Sequence, residues 1–507
     1  MIVLINPNLM LHRKDLFTTG IVYMPIGLAY FAGILRRHKF DVTVIDCFGE
    51  KPNQQRIEGD FLVRGLTIQE VVNRTLHAEP KAIIIYASNI TYHSSLIHIV
   101  LNLRRCVKDV PVIIIENSQA VTAYSLRRIQ EEFYDIGVDY IVTGEAEERG
   151  VALLKALRNG SDFNNIKLIH GIGCKQDGRV HYTPPQDEIA DLDSLPFPAW
   201  DMFPLENYWH LKYAHGPFET DRYLPLLTSR GCPYSCRFCV IPETNARRWR
   251  ARSAKNIVDE MEKWQKIYGV REFHIEDVNP TVNDDRTRKI CEELIRRKLN
   301  VIWKISSGTK VETIRDETTI ELMVKAGCRY ISISPETGSP ELLRKMNKPF
   351  NIDHGIRIVQ KMNNVGIRSQ ACFVLGYPGE SDDDRQKTKK LVHELTRAGV
   401  DEIAVFIITP VPGSALFDQF SGYSDFSELT FSPTWRQDYK ELNKFRLELY
   451  RNFILWKLYH NPLKIIYQSV NFIIRRFETK MEMTPYRALH ITLLKTGLTG
   501  QRIQDEH

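Results

Sequence analysis

Twice along this chain of 507 residues a short apolar run is followed by an amphipathic helical pattern, and the alternation then repeats. Such a rhythm forces parallel strands, because each helix must carry the chain back across the sheet before the next strand begins. In the first series Ile2–Ile5, Val42–Ile45, Lys81–Tyr86, Val110–Ile115 and Tyr140–Val142 read as strands. Pro25–His38 and Ser95–Val107 read as helices between them, the first with Leu28, Phe31 and Leu35 on one face. The unbroken apolar run ending at Tyr86 suits a strand buried on both faces. This predicts a doubly wound parallel sheet with ligands beyond the carboxyl ends of its strands. Asp177-Gly178, between Ile172–Cys174 and Val180–Tyr182, predicts a hairpin.

The stretch from Pro184 to Pro204, rich in Pro and Asp, reads as a linker. From about 221 the rhythm restarts, with strands predicted at Tyr223–Thr228, Glu272–Ile275, Val301–Ser306, Tyr330–Ser334, Gln370–Leu375 and Asp401–Ile408. Helices such as Ala254–Ile267 and Thr287–Lys298 fall between them. These units predict a partial (β/α) barrel with its chemistry at the carboxyl ends of the strands. Beyond about 434 the pattern is helical. Phe445, Leu449, Phe453 and Trp456 form one apolar stripe, Pro462 interrupts it, and a second helix runs to about Thr479. The expected architecture is therefore α/β: a Rossmann-type domain over 1–185, a linker over 186–220, a barrel core over 221–425 and a helical region over 426–507.

Hydrophobic residues make up 43% and charged residues 26%, the balance of a folded soluble protein. The N-terminus lacks the basic and small-residue features of a signal peptide, and no apolar run is long enough to span a bilayer, so a cytoplasmic location is expected. The net charge of +6 is carried by the tail, where 13 Lys and Arg from Arg436 onward stand against 7 Asp and Glu. That tail reads as a helical cap on the barrel, with a substrate lid or peripheral membrane contact as the sharper alternative. No basic stripe with interleaved aromatics suggests nucleic acid in the first two domains.

Three of the nine cysteines cluster at Cys232, Cys236 and Cys239, directly after the first predicted barrel strand. Three thiolates on one loop can hold three irons of a cubane cluster and leave the fourth to a non-protein ligand. A structural zinc site wants a second pair of ligands, and none follows at matching spacing. The remaining six cysteines are scattered and read as small buried side chains.

Cys-x-x-x-Cys-x-x-Cys with Phe238 before the last Cys resembles the radical S-adenosylmethionine (SAM) superfamily. The resemblance implies a [4Fe–4S] cluster on Cys232, Cys236 and Cys239. It also implies S-adenosylmethionine chelated at the open iron and cleaved by one electron to a 5′-deoxyadenosyl radical, with the electron supplied by a flavodoxin- or ferredoxin-type donor. The segment His274–Asn279 would then place Asp277 near the cofactor's ammonium. Ser334–Ser339 would place Glu336 at its ribose or amino group, and Gly376 would let backbone approach the adenine. Thr409–Ser414 is also similar to the superfamily.

The order of α/β domain, linker and barrel resembles the cobalamin-binding subfamily, over roughly residues 1–425. Asn6-Pro7, Pro25–Tyr30, Asp139–Glu145 and Leu192–Pro198 carry the likeness. The Asp-x-His-x-x-Gly signature for cobalt ligation is absent, the nearest stretch being Asp46–Gly49. Where that subfamily has a Gly-Gly pair beside the corrin, this chain has Glu116-Asn117-Ser118-Gln119, whose side chains stand in the ring's way. The expected function is radical, cobalamin-dependent methyl transfer to an unactivated centre of a small-molecule substrate. A radical cyclase or rearrangement enzyme is the alternative, and a non-catalytic iron–sulfur redox protein is the alternative of another class. Methylthiotransferases are disfavoured, because Cys47, Cys106 and Cys174 lack their second cluster motif.

Overall fold

The computed structural model describes residues 1–495 except 16, 121, 161–162 and 186–187, so residues 496–507 of the expected helical tail lie outside it. The N-terminal strands are β1 (Ile2–Asn6), β2 (Val42–Asp46), β3 (Ala82–Ala87), β4 (Val112–Glu116), β5 (Tyr140–Val142), β6 (Ile172–Gln176) and β7 (Arg179–Tyr182). They form one sheet in the order β7-β6-β5-β4-β3-β1-β2. The pairings from β2 to β5 are parallel, and the hairpin β6–β7 extends the sheet antiparallel at its edge. Asp177 and Gly178 both sit at positive φ, +50° and +73°, as a two-residue hairpin turn requires.

Leu4 and Ile84 feed one core and Val3, Ile5, Ile83 and Ile85 another, which is why these strands are apolar on both faces. Helices α1 (Ile26–Arg37), α2 (Ile68–His77), α3 (His93–Cys106) and α4 (Ala146–Arg158) cover the two faces. The strand order reverses between β1 and β3, the place where open α/β sheets offer a crevice. A separate antiparallel sheet of Leu9–His12, Gln55–Glu58 and Phe61–Arg64 was not legible in the sequence.

The linker is not a loose tether. Trp200, Tyr208 and Trp209 are buried, and at Gly33 of α1 an added Cβ would come within 3.0 Å of the Phe197 carbonyl oxygen.

The second sheet contains β8 (Tyr223–Leu226), β9 (Glu272–Ile275), β10 (Ile302–Thr309), β11 (Cys328–Glu336), β12 (Arg368–Leu375) and β13 (Glu402–Ile407), all parallel and in sequence order. Its end strands do not pair, so it is a partial (β/α) barrel. Helices α5 (Ala254–Tyr268), α6 (Asp284–Arg296), α7 (Glu317–Lys325), α8 (Ile352–Val365) and α9 (Asp382–Arg397) return the chain between strands. Ser253, Asn283, Asn351 and Ser381 cap four of them through side-chain oxygens.

The tail has three helices: α10 (Tyr439–His460), α11 (Pro462–Ile474) and α12 (Lys480–Lys495). Helix α11 ends at Ile474, five residues short of the expected end, where Arg475 adopts φ +56°, and α12 was not foreseen. Leu449 and Phe453 of the predicted stripe are buried, and the Tyr450 hydroxyl accepts the Val405 amide on the open edge strand β13 (3.0 Å). The helical cap on the barrel is thus observed, and it covers a sheet edge that would otherwise expose unpaired groups. No helix among the described residues is long and apolar enough to cross a membrane.

Candidate active site

The cysteine loop leaves β8 through Ser229-Arg230. Gly231, at φ +76°, turns the chain where an added Cβ would lie 2.0 Å from the Arg248 carbonyl oxygen, so only glycine fits. Arg237 donates its amide to the Met346 carbonyl (3.0 Å), and the Asn347 amide group donates to Ser235 Oγ (2.7 Å). These bonds fix the loop that presents Cys232, Cys236 and Cys239, all three partly exposed. Burial lifts each thiol, Cys239 to about 12, while the Lys348 cation pulls the other way. Among the described residues no three His, Cys, Asp or Glu side chains converge as ligands of a single ion do. A cubane asks instead for one thiolate per iron, and this donor set fits it with one iron left over.

Inside the barrel lies a cavity of about 740 Å³. Phe238 and Cys239 line it at the loop, Ser306, Ser332, Ser334, Glu336, Gln370 and Cys372 at the strands, and Lys480 and Met483 from α12. Glu336 adopts φ +64° and receives an ion pair from Lys348, and burial raises its carboxyl although Lys348 opposes the shift. Lys480 Nζ donates to the Ser306 carbonyl (3.2 Å) and to Gln370 Oε1 (3.4 Å); burial lowers it, with Cys372 and Glu402 opposing. Ser306 Oγ and Thr409 Oγ1 face the cavity buried and without a partner among the described residues. Such orphaned groups mark a place for a polar ligand.

Two of the residues expected at the cofactor do not line this cavity. Asp277 does not reach the cavity: its carboxylate accepts the Thr228 amide (2.6 Å), Thr228 Oγ1 (2.5 Å) and Ser229 Oγ (2.5 Å). It holds the strand end that launches the cysteine loop, and its neighbour Glu276 points to the interior because side chains alternate past the strand. Gly376 is also displaced from the cavity. Its amide donates to Glu380 (2.7 Å), its carbonyl accepts from Arg436 (3.0 Å), and an added Cβ would meet Leu442 at 2.5 Å. Its glycine serves close packing of the tail. Tyr377 donates to the Lys345 carbonyl (3.0 Å).

A narrower cleft lies between the carboxyl ends of the N-terminal sheet and the barrel mouth. Asn6, Ser88, Asn89, Asn117 and Gln119 line one side, Tyr223, Leu227 and Glu276 the other. It shares Tyr23, His215 and Ser307 with the barrel cavity. His215, from the linker, contacts Glu276 through Nδ1 (2.5 Å), and its ring lies against Tyr23 at 4.5 Å between centroids with the planes tilted by 36°. Neither His215 nor Lys480 had a sequence signal, since each belongs to no motif and reaches the site from outside the barrel strands.

The segment Glu116–Gln119 obstructs less than the sequence suggests. Glu116 turns back to accept the amides of Leu126 (2.9 Å) and Gly144 (2.5 Å), and Ser118 accepts Asn245 through its carbonyl (2.6 Å). Only Asn117 and Gln119 of the four line the cleft. Ser88 Oγ faces the cleft without a partner among the described residues. The short amide and hydroxyl groups at this strand-order switch are donors and acceptors of the kind that suit a corrin's amide rim, and the space they enclose is about 60 Å³.

Residues 226–392 match the model of the radical SAM superfamily. The chain is 27% identical over 470 residues to cytidylyl-2-hydroxyethylphosphonate methyltransferase of Streptomyces wedmorensis, covering 86% of this chain and 85% of that protein. It is 29% identical over 330 residues to the anaerobic magnesium-protoporphyrin IX monomethyl ester cyclase of Rubrivivax gelatinosus, covering 64% of this chain and 57% of that one. Among solved structures, the radical SAM methyltransferase TsrM of Kitasatospora setae shares the fold with a TM-score of 0.63 at 18% identity, over 82% of this chain and 75% of that chain. The cobalamin-dependent radical enzyme OxsB does so at 0.62 and 16% identity, over 89% and 56%. The barrel segment over residues 226–392 is thus a radical SAM domain. The chain's α/β domain ahead of the barrel gives it the fold of these two cobalamin-related neighbours over most of its length.

Proposed function

We propose that this chain is a cobalamin-dependent radical SAM methyltransferase acting on an unactivated centre of a small molecule. Residues 221–425 form its catalytic core and residues 1–185 its cobalamin domain. The observation that carries the reading is the junction of two spaces. The cleft at the N-terminal strand ends opens beside the barrel cavity, with Tyr23, His215 and Ser307 common to both. Cys232, Cys236 and Cys239 would hold the [4Fe–4S] cluster, and Asn6, Ser88, Asn89 and Asn117 would hold the corrin rim. When bound, the cluster supplies the electron that cleaves S-adenosylmethionine, and cobalamin carries the methyl group.

The chain's own residues do the rest. Glu336, with Lys348 behind it, offers a carboxylate to the cofactor's polar end. Ser306 Oγ and Thr409 Oγ1 offer uncommitted hydroxyls. The apolar walls exclude water, which protects a reactive carbon radical from side reactions. A flavodoxin- or ferredoxin-type donor supplies the electron, and the protein works in the cytoplasm. Radical cyclisation is the second reading, favoured by the likeness to the magnesium-protoporphyrin cyclase.

The test is anaerobic reconstitution with iron, sulfide and hydroxocobalamin, followed by a strong reductant and S-adenosylmethionine. We expect retained cobalamin and both 5′-deoxyadenosine and S-adenosylhomocysteine. Deoxyadenosine without homocysteine product would replace methylation by cyclisation or rearrangement. An intact cluster that never cleaves S-adenosylmethionine would make the chain a redox protein.

A further inference from the structure

Helix α11 is inside out. Its polar residues face the protein: Lys464 pairs with Asp401 (2.9 Å), Gln468 accepts from Lys457 (2.6 Å) and Asn471 contacts Glu482 (3.4 Å). Its apolar residues face solvent. Leu463, Ile466, Tyr467, Val470, Ile473 and Ile474 are 48–76% exposed. Their spacing puts them on one continuous face. A soluble surface helix shows the opposite arrangement, because each exposed apolar side chain forgoes the gain of leaving water. A contiguous patch of this kind marks a binding surface.

The neighbouring helix α10 continues the pattern and adds charge. Lys444, Leu447, Arg451, Leu455 and Leu458 follow at spacings of three and four, and all are exposed. Arg475 and Arg476 close the end of α11 and are exposed too. Apolar residues among cations, with a tyrosine at the edge, match the interface of an anionic bilayer. Leu447 belongs to two places at once: it is 59% exposed and also lines the barrel cavity. The cavity therefore opens on the same face. Its walls are apolar beside that opening, at Val405, Phe453 and Ile454, and polar at Lys480 and Glu336.

We propose that the α10–α11 face docks on an anionic lipid bilayer and that the substrate is a membrane-borne amphiphile entering the barrel past Leu447. This deepens the radical-methylation reading and rests on it for the reaction, though not for the docking. The hydrocarbon part of such a substrate would lie against the apolar walls and its polar end near Lys480.

The full chain, reconstituted with its cluster, is centrifuged with phosphatidylcholine vesicles and with vesicles in which phosphatidylglycerol replaces about a third of that lipid. We expect it to pellet with the anionic vesicles only. In Ile466→Glu/Ile473→Glu the bound fraction should fall by about tenfold or more, while deoxyadenosine formation in solution is unchanged. No pelleting, or equal pelleting of the variant, overturns the docking. So does a two-chain mass by light scattering that the variant reduces to one, since a second copy would then cover the face. The cavity is probed with a dansylated undecanoic acid. Its fluorescence should rise with wild type and with the surface variant but not with Ala404→Trp, which fills the cavity wall. Undiminished fluorescence in Ala404→Trp overturns the substrate assignment. Deoxyadenosine formation without vesicle or probe binding breaks this proposal alone, and vesicle binding without deoxyadenosine breaks the catalytic reading alone.

Discussion

At the carboxyl ends of the N-terminal sheet the polar side chains are largely occupied with one another and with the barrel. Glu116 holds two backbone amides, and Gln119 contacts Ser118 (2.8 Å), Glu145 (3.3 Å), Asn245 (3.2 Å) and the Gly231 amide (3.3 Å). At the carboxyl ends of the barrel strands Ser306 and Thr409 keep hydroxyls free, and Glu336, Cys372 and Lys480 face open space. Both sheets arise from the same strand–helix alternation, so the architecture does not explain the difference. The first sheet presents a preformed, mostly neutral wall, while the second keeps charge and reactive groups around a cavity. Rigid support on one side and unsatisfied groups on the other is the division expected where one domain holds a cofactor against another's reaction chamber.

The two sides also meet at buried ion pairs. Glu145 binds Arg250 (2.8 Å) and Glu147 binds Arg230 (2.6 Å), and Arg230 immediately precedes the cysteine loop. The N-terminal domain thereby sets the position of that loop. Removing one partner would strand a buried charge, which is costly.

Changes at the barrel rim should be the most severe. Cys236→Ala should abolish deoxyadenosine formation, by about a thousandfold or more, and lower the iron retained per chain. Retention of full activity would remove Cys236 from the cluster. Next, Gly231→Ala should lower unfolding free energy by about 3 kcal/mol, because strain adds to a clash with backbone. Gly59→Ala, at φ +56° in open space, should cost only about 1 kcal/mol. Equal costs in urea titrations would show that the loop relaxes around the new Cβ. Gln119→Ala tests the seam itself: we expect about 2 kcal/mol of lost stability and faster loss of the cluster in air. Loss of stability with the cluster unaffected would uncouple the two domains.

A further effect concerns pH. Burial raises Glu116 in the first sheet and Glu402 in the second, each to about 7, from an ordinary 4.5. The native state therefore holds these protons where the unfolded chain has released them. Their contribution is present below pH 4.5 and is lost as pH rises through about 7. Unfolding free energies from urea titrations should fall from pH 5 to pH 8. A flat profile would mean that both carboxylates are ionised in the folded protein.

The rhythm of strands and helices was readable because periodicity is local: each strand buries both faces and each helix one. Cys232, Cys236 and Cys239 were readable for the same reason, since one short loop carries the whole motif. Asp277 and Gly376 lie off the barrel cavity because a residue's position past a strand does not say which way its side chain or carbonyl turns. That was decided by Thr228 and Ser229 for the carboxylate, and by Arg436 and Leu442 for the glycine. His215 and Lys480 could not be found, because they come from the linker and the last described helix and join the site only when the core closes. Helix α11 shows the same division. Its residues read as one more amphipathic helix, and hydropathy carries no sign for inside and outside. Only the packing of Lys464, Gln468 and Asn471 against the protein turned its apolar face outward. The sequence by itself determined the elements and the gathering of three cysteines on one loop, through interactions between near neighbours. The tertiary structure decided which side chains share a cavity and which surface stays uncovered, because those depend on contacts between residues far apart in the chain.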